Sequence, residues 1–169
     1  EAAVNAALNL TTQDLATPDL RLETMGNAAS KIAVFSQVRD ALLTFQRQFA
    51  THPSLGKQGV ILDGRDIGLV VLPDAPCKIF VTASPQVRAD RRLKELHLKK
   101  TYSTFERILE DIKERDRRDE RRDVSPLRSA KDAFLLDTSE LEIKYIIEKA
   151  SFFVDSIYPQ AQKKTDSLT

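Results

Sequence analysis

The chain has no tryptophan, one cysteine (Cys77), one methionine and only five glycines among its 169 residues. One cysteine cannot build a disulfide scaffold, and an unpaired thiol is compatible with a reducing compartment. There is no surplus charge of one sign either: Lys+Arg 26 against Asp+Glu 25 leaves a formal net charge of +1. A domain that holds polyanions through bulk charge ordinarily carries a basic excess, so nucleic acid is not the leading partner. No apolar run approaches the roughly 20 residues of a membrane span, and no basic, apolar and small-residue series of a secretory leader opens the chain. Neither membrane nor nucleic acid is therefore expected as a partner, and the cytoplasm is the expected compartment. What is present, 41% hydrophobic and 30% charged residues, suffices for a core under a charged surface and excludes a disordered chain. The length bounds the fold to one domain, with or without a small appendage. The first residue is Glu1 and not Met, so the N-terminus is expected to be missing or processed.

The pattern along the chain alternates between helix and strand. An Ala-rich, helix-permissive stretch from Glu1 to Leu10 precedes a polar Thr/Asp/Pro segment, and a second helical pattern covers Glu23 to Val34. Ser36 reads as the N-cap of a longer helix in which Val38, Leu42, Phe45 and Phe49 form one apolar stripe. After a loop marked by Pro53, Gly56 and Gly59 come three strand signals: Val60–Leu62, Cys77–Thr82 and Ala133–Leu136. Ser84 and Pro85 suit the cap and first turn of a helix carrying Val87, Leu93 and Leu96. A last helix spans Leu141 to Phe152, and the tail from Gln160 is polar. Short apolar strands between helices imply an α/β fold with a parallel sheet covered on both faces. Ligands of such sheets gather at the carboxyl ends of strands, where Asp63–Asp66 and Asp137–Ser139 lie.

Three groups of residues have the composition of a site. Asp63-Gly64-Arg65-Asp66-Ile67-Gly68 combines a tight bend with alternating acid and base. It can be a ligand clamp, with Arg65 for an anion and Asp66 for hydrogen-bond donors, or a turn whose Asp caps amides and whose Arg is solvated. Lys113 to Asp123 is an unbroken charged run. On a helix, Arg115, Arg118 and Arg122 share a face suited to phosphate, and Asp119 can hold Arg115 from one turn away. The alternative is a solvated, salt-bridged surface helix, and the run has no interleaved aromatics for stacking on bases. Ser30 and Arg39 complete the set, although composition alone gives no reason to choose them. His52 and His97 lack a partner at metal-ligand spacing, so no metal ligands are expected in this stretch. Cys77, inside a strand pattern, reads as core.

Taken in order, Asn27–Ala33, Val38–Leu43, Leu62–Gly68 with Pro73–Pro76, and Lys78–Pro85 resemble bacterial cytidylate kinases, P-loop nucleoside monophosphate kinases. Glu114–Arg122, Ser125–Leu127, Asp132–Ala133 and Leu136–Ser139 continue the resemblance to about residue 150. The resemblance implies phosphoryl transfer from ATP, with Mg²⁺, to CMP or dCMP, giving CDP or dCDP for nucleic-acid and lipid precursors. It assigns Ser30, Arg39 and Asp66 to the cytosine, Arg115 and Asp119 to the ribose, and Arg65 and Arg122 to phosphate. Arg122, Arg65 and Arg115 are thereby the expected catalytic residues. It further implies an NMP-binding insertion with its following helix over residues 1–50, a lid over residues 98–129, and a monomer.

One departure stands out. Kinases of this class open with a strand, a G-x-x-x-x-G-K-[ST] phosphate loop and a helix. Nothing in the sequence matches, since Gly56-Lys57 is followed by Gln58 and lacks the preceding glycine. The expectation is a partial kinase domain whose first strand and P-loop lie outside the stretch, inactive by itself. A non-catalytic nucleotide-binding module and an Arg-rich nucleic-acid-binding domain are the alternatives.

Overall fold

A computed structural model describes residues 1–159 apart from residues 12, 22, 54 and 122–126. Its contacts divide it into two units: Glu1–Pro73 with Arg118–Arg128, and Asp74–Arg117 with Ser129–Thr169.

The first unit is helical. α1 (Ala2–Leu8) is followed by two single-turn 3₁₀ segments, Asp14–Ala16 and Pro18–Arg21, then by α2 (Glu23–Ile32) and α3 (Ser36–Thr51). The stripe read from the sequence is the packed face of α3: Val38 is buried, and Leu42, Phe45 and Phe49 are half-buried. α1 packs on α3, with its own buried Ala7. Ser36 is the first helical residue and not the cap; Phe35, in extended conformation, occupies the cap position without a side-chain bond. The helix thus starts one residue earlier than the Ser rule suggests, and Ser36 takes the position where a backbone N–H has no helical acceptor anyway.

The expected strand at Val60–Leu62 does not form. Ile61 is almost fully exposed, at 97%, and the segment joins no ladder among the described residues. Three apolar residues make a strand only against a hydrogen-bonding neighbour, and local pattern cannot supply one. The chain instead closes a single π-helical turn at Ile67–Val71, just after the Asp63–Asp66 cluster, and this turn packs on α3.

The second unit is a parallel α/β arrangement. β1 (Ile79–Thr82) runs parallel to β2 (Phe134–Asp137), with Ile79 opposite Phe134 and Thr82 opposite Asp137. One more bond extends the pairing at each end, Phe134 N–H to Lys78 O at 2.9 Å and Thr138 N–H to Thr82 O at 2.8 Å. Parallel strands require a long crossover. Here it contains α4 (Pro85–Leu98) and α5 (Phe105–Glu120), whose last residues, from Arg118 on, fall in the first unit. Ser84 caps α4 by accepting the Val87 N–H at 3.3 Å, with Pro85 in the first turn, as the sequence implies. Ala89, Leu96 and Ile108 form a buried cluster, flanked by Leu93, Phe105, Leu109 and Ile112. α6 (Ile143–Ile157) packs on β2, where Phe153 stacks on Phe134 at 4.7 Å between ring centroids. Cys77 lies two residues ahead of β1 and not within it; it is half-buried, and desolvation raises its thiol pKa.

Candidate functional site

Four of the residues read from the sequence come together in the first unit. α3 presents Arg39 from its first turn, and the guanidinium Nη2 is ion-paired with Asp66 Oδ2. Both side chains are largely withdrawn from water. Arg65, the next residue in the motif, directs Nη1 to Asp119 Oδ2 at 3.4 Å, and the Asp119 side chain is 1% exposed. A carboxylate buried to this degree is costly unless it is matched by positive charge and hydrogen bonds. The Asp119 backbone oxygen also accepts the Leu127 N–H at 2.9 Å, which ties the chain beyond α5 back to the helix end.

The π turn accounts for how two adjacent residues reach two separate partners. The Asp66 carbonyl accepts the N–H groups of Leu69, Val70 and Val71 at 3.2, 2.9 and 3.4 Å, and the Leu72 N–H donates to Ile67 O at 2.7 Å. These bonds fix the backbone at the point where Arg65 and Asp66 diverge. Arg47, two turns further along α3 than Arg39, donates from Nε to Val71 O and from Nη2 to Val70 O, both at 3.0 Å. The sequence pattern did not single out Arg47; its only signal is a second arginine on α3, eight residues beyond Arg39.

The remaining site residues are placed as follows. Ser30 lies in the last turns of α2, and its side chain is outside the described residues, as is all of Arg122. Arg115 stands half-buried on α5, one turn before Asp119. Asp119 also lies against Arg65, a neighbour that helical spacing does not name. The charged run serves two ends at once. Arg117 makes the exposed ion pairs of a solvated helix, with Glu114 at 2.9 Å and Glu110 at 3.1 Å. Asp116 instead takes both ends of the Arg88 guanidinium, at 2.9 and 2.5 Å, while Arg88 Nε donates to Ala83 O at 3.0 Å. This fork joins α4 and α5, and the hydrogen bond to Asp116 raises the Arg88 pKa further.

At the carboxyl ends of the two strands, polar groups are used mainly on one another. Ser84 N–H donates to Ser139 Oγ, whose hydroxyl and N–H both donate to Asp137 Oδ1. The Ser139 hydroxyl is the chief reason that the Asp137 carboxyl is more acidic than usual. Buried Thr138 donates to Thr82 O and is grasped by Arg91 at its hydroxyl and carbonyl oxygens, at 3.0 and 2.5 Å. Among the described residues, no group of three or more His, Cys, Asp or Glu side chains is gathered as a metal ion would require. No helix among them is long and apolar enough to cross a membrane.

Parallel strands joined through helices in the second unit define an α/β protein, and the first unit by itself holds two pairs of arginine and carboxylate. Residues 3–155 match the sequence profile described as "Cytidylate kinase". Among curated proteins, the chain is 53% identical over 140 residues to a "Cytidylate kinase" of Paramagnetospirillum magneticum, an alignment spanning 83% of this chain and 66% of that protein. It is 49% identical to one of Proteus mirabilis, over 86% of this chain and 62% of that protein. For one of Methylocella silvestris the identity is 44%, over 94% of this chain and 71% of that protein. The chain belongs to the cytidylate kinase family. It spans about two thirds of the length of the curated relatives it matches.

Proposed function

We propose that this chain carries the CMP-recognition part of a cytidylate kinase, an enzyme that moves the terminal phosphoryl group of ATP to CMP or dCMP. One observation carries the reading: the Arg39–Asp66 pair stands next in the chain to the Arg65–Asp119 pair, in a single unit. Cytosine has an exocyclic amine beside two acceptors, N3 and O2. A carboxylate next to a guanidinium offers the complementary acceptor and donors. Uracil would set a carbonyl against the Asp66 carboxylate, and a site with polar groups left unpaired can reject an analogue by roughly 10²- to 10⁵-fold.

The other assignments follow the family pattern. Ser30 joins Arg39 and Asp66 at the base, Arg115 and Asp119 take the ribose, and Arg65 and Arg122 take phosphate. Guanidinium suits these roles because it stays charged and donates in a planar fork. Catalysis by Arg65, Arg115 and Arg122 would consist of positioning and of neutralising charge on the migrating group. Residues 1–50 would serve as the NMP-binding insertion with its following helix, and residues 98–129 as a lid that keeps water from the reacting phosphate. The protein would act as a monomer in the cytoplasm. ATP would arrive with Mg²⁺, but the 169 residues contain no G-x-x-x-x-G-K-[ST] sequence and the described residues gather no metal-binding cluster. The described residues do not fit a Mg²⁺ site.

Titration calorimetry tests the reading. The 169-residue chain is expected to bind CMP saturably and UMP at least about tenfold more weakly, in keeping with the loss of a hydrogen bond to a charged group. A coupled ADP-release assay with CMP, UMP and AMP as acceptors is expected to show little turnover from this stretch alone. Equal affinity for CMP and UMP, or salt-sensitive binding to DNA of unrelated sequence in place of CMP, would contradict it.

A further inference from the structure

We propose that Arg47 is a positioning residue of the cytosine site: it holds the turn that aims Asp66, without touching the nucleotide. The proposal rests on the reading of Asp66 as the group that meets the cytosine amine. α3 grips the segment 66–71 at both ends. At the front, Arg39 pairs with the Asp66 carboxylate; at the back, Arg47 donates to the Val71 and Val70 carbonyls, each at 3.0 Å.

The back grip matters because of what a π turn leaves open. A single turn of this kind has few internal bonds and is intrinsically marginal. Its last carbonyls have no acceptor role inside the turn, which packs on α3. Val71 is 3% exposed, so its oxygen depends on a protein donor. Arg47 is the residue whose Nε and Nη2 reach two successive carbonyls at once, which a single ammonium could not match in fork geometry.

Three N–H groups of the turn converge on the Asp66 carbonyl, while the Asp66 side chain makes the ion pair. Any loosening of the turn therefore shifts the residue that carries the recognising carboxylate. Because α3 bears both arginines, the same rigid helix sets the distance between the carboxylate's partner and the turn's anchor. Sites held on such an element keep their geometry better than sites on a loop alone.

The test uses Arg47→Met and Arg47→Lys in the 169-residue chain, with CMP and UMP as probes and amide hydrogen exchange as an independent readout. Arg47→Met is expected to weaken CMP binding at least about fivefold and to leave UMP within about twofold, so that the preference between them shrinks. The amides of Val70, Val71 and Leu72 should exchange faster while those of α4 do not change. Arg47→Lys, keeping charge and most of the apolar stem, should fall between wild type and Arg47→Met in both readouts. A merely structural loss would weaken both nucleotides alike. Wild-type preference in Arg47→Met overturns the proposal, and so does a lost preference with unchanged exchange at 70–72. If Arg47→Met does not fold, Arg47→Lys decides on the same two criteria. If the wild-type chain binds neither nucleotide, the cytosine reading fails by itself, and the exchange data decide whether Arg47 holds the turn.

Discussion

Gly64 sits where the recognition motif has no room to spare. A Cβ built there would lie 2.9 Å from Ile67 Cγ1 and 3.0 Å from its Cδ1. The closer contact is next to the branched Cβ of isoleucine, a side chain with little rotational freedom, so relief must come from shifting Ile67 or the backbone of Arg65 and Asp66. Gly64→Ala is accordingly expected to cost about 1–3 kcal/mol of stability, as overpacking does, and to weaken CMP binding more than it weakens UMP. Denaturant titration and calorimetry would measure the two effects. At this scale the site was half legible. The motif at Asp63–Asp66 announced itself by its alternating charges, and Arg39 entered only through family resemblance. The contact of Asp119 with Arg65 was not legible, because helical spacing names the neighbour one turn away and is silent about a residue more than 50 positions earlier in the chain. Arg47 escaped for the same reason: its acceptors are backbone carbonyls, which every residue has.

Helix ends show where an element's sequence agrees or conflicts with its geometry. The start of α4 agrees, with Ser84 and Pro85 at the positions that favour each. Its end conflicts. Thr101 N–H bonds to Leu96 O at 2.9 Å and Lys100 N–H to His97 O at 3.0 Å, the double closure that needs a left-handed residue. Lys100 occupies that position with φ 55°, where glycine is the usual choice. A non-glycine residue there costs roughly 1–3 kcal/mol, and part of the relief is offset by the added freedom of glycine when unfolded. Lys100→Gly is therefore expected to stabilise the chain by about 0.5–1 kcal/mol, read as a higher denaturation midpoint at unchanged slope. Helices with a clear apolar stripe, such as α3, were legible from period alone, as were β1 and β2 to within a residue or two. The Val60–Leu62 run looked equally good and formed no strand, because a strand is a property of a pair and the sequence of one partner describes only half of it. The π turn had no signal at all, since five residues are too few to display a period.

For the molecule as a whole, charge is balanced by local pairing and not by overall composition. Asp132 is held below the usual carboxylate range chiefly by its hydrogen bond to Lys78, Asp137 by Ser139, and Glu95 by Lys99 and Arg92. Each of these groups has a folded-state pKa below its unfolded value, so the stability each adds is complete above the unfolded value and disappears as pH falls through the folded one. With Asp starting from 3.8 and Glu from 4.5, thermal stability is expected to be insensitive to these groups near neutrality and to fall on acidification below that range. A series of melting curves against pH would show it. The near-zero net charge that argued against bulk polyanion binding is thus compatible with arginines at the candidate site, because Arg39 and Arg65 each face a carboxylate.

The central claim is that Asp66, held between Arg39 and the π turn, reads the cytosine amine. The measurement that tests it most directly is the ratio of UMP to CMP dissociation constants for the wild-type chain and for Asp66→Asn, by titration calorimetry at one salt concentration. An amide can donate where the carboxylate could only accept, so the ratio should fall at least about tenfold on substitution. A ratio unchanged by Asp66→Asn, in a variant that remains folded, would contradict the account.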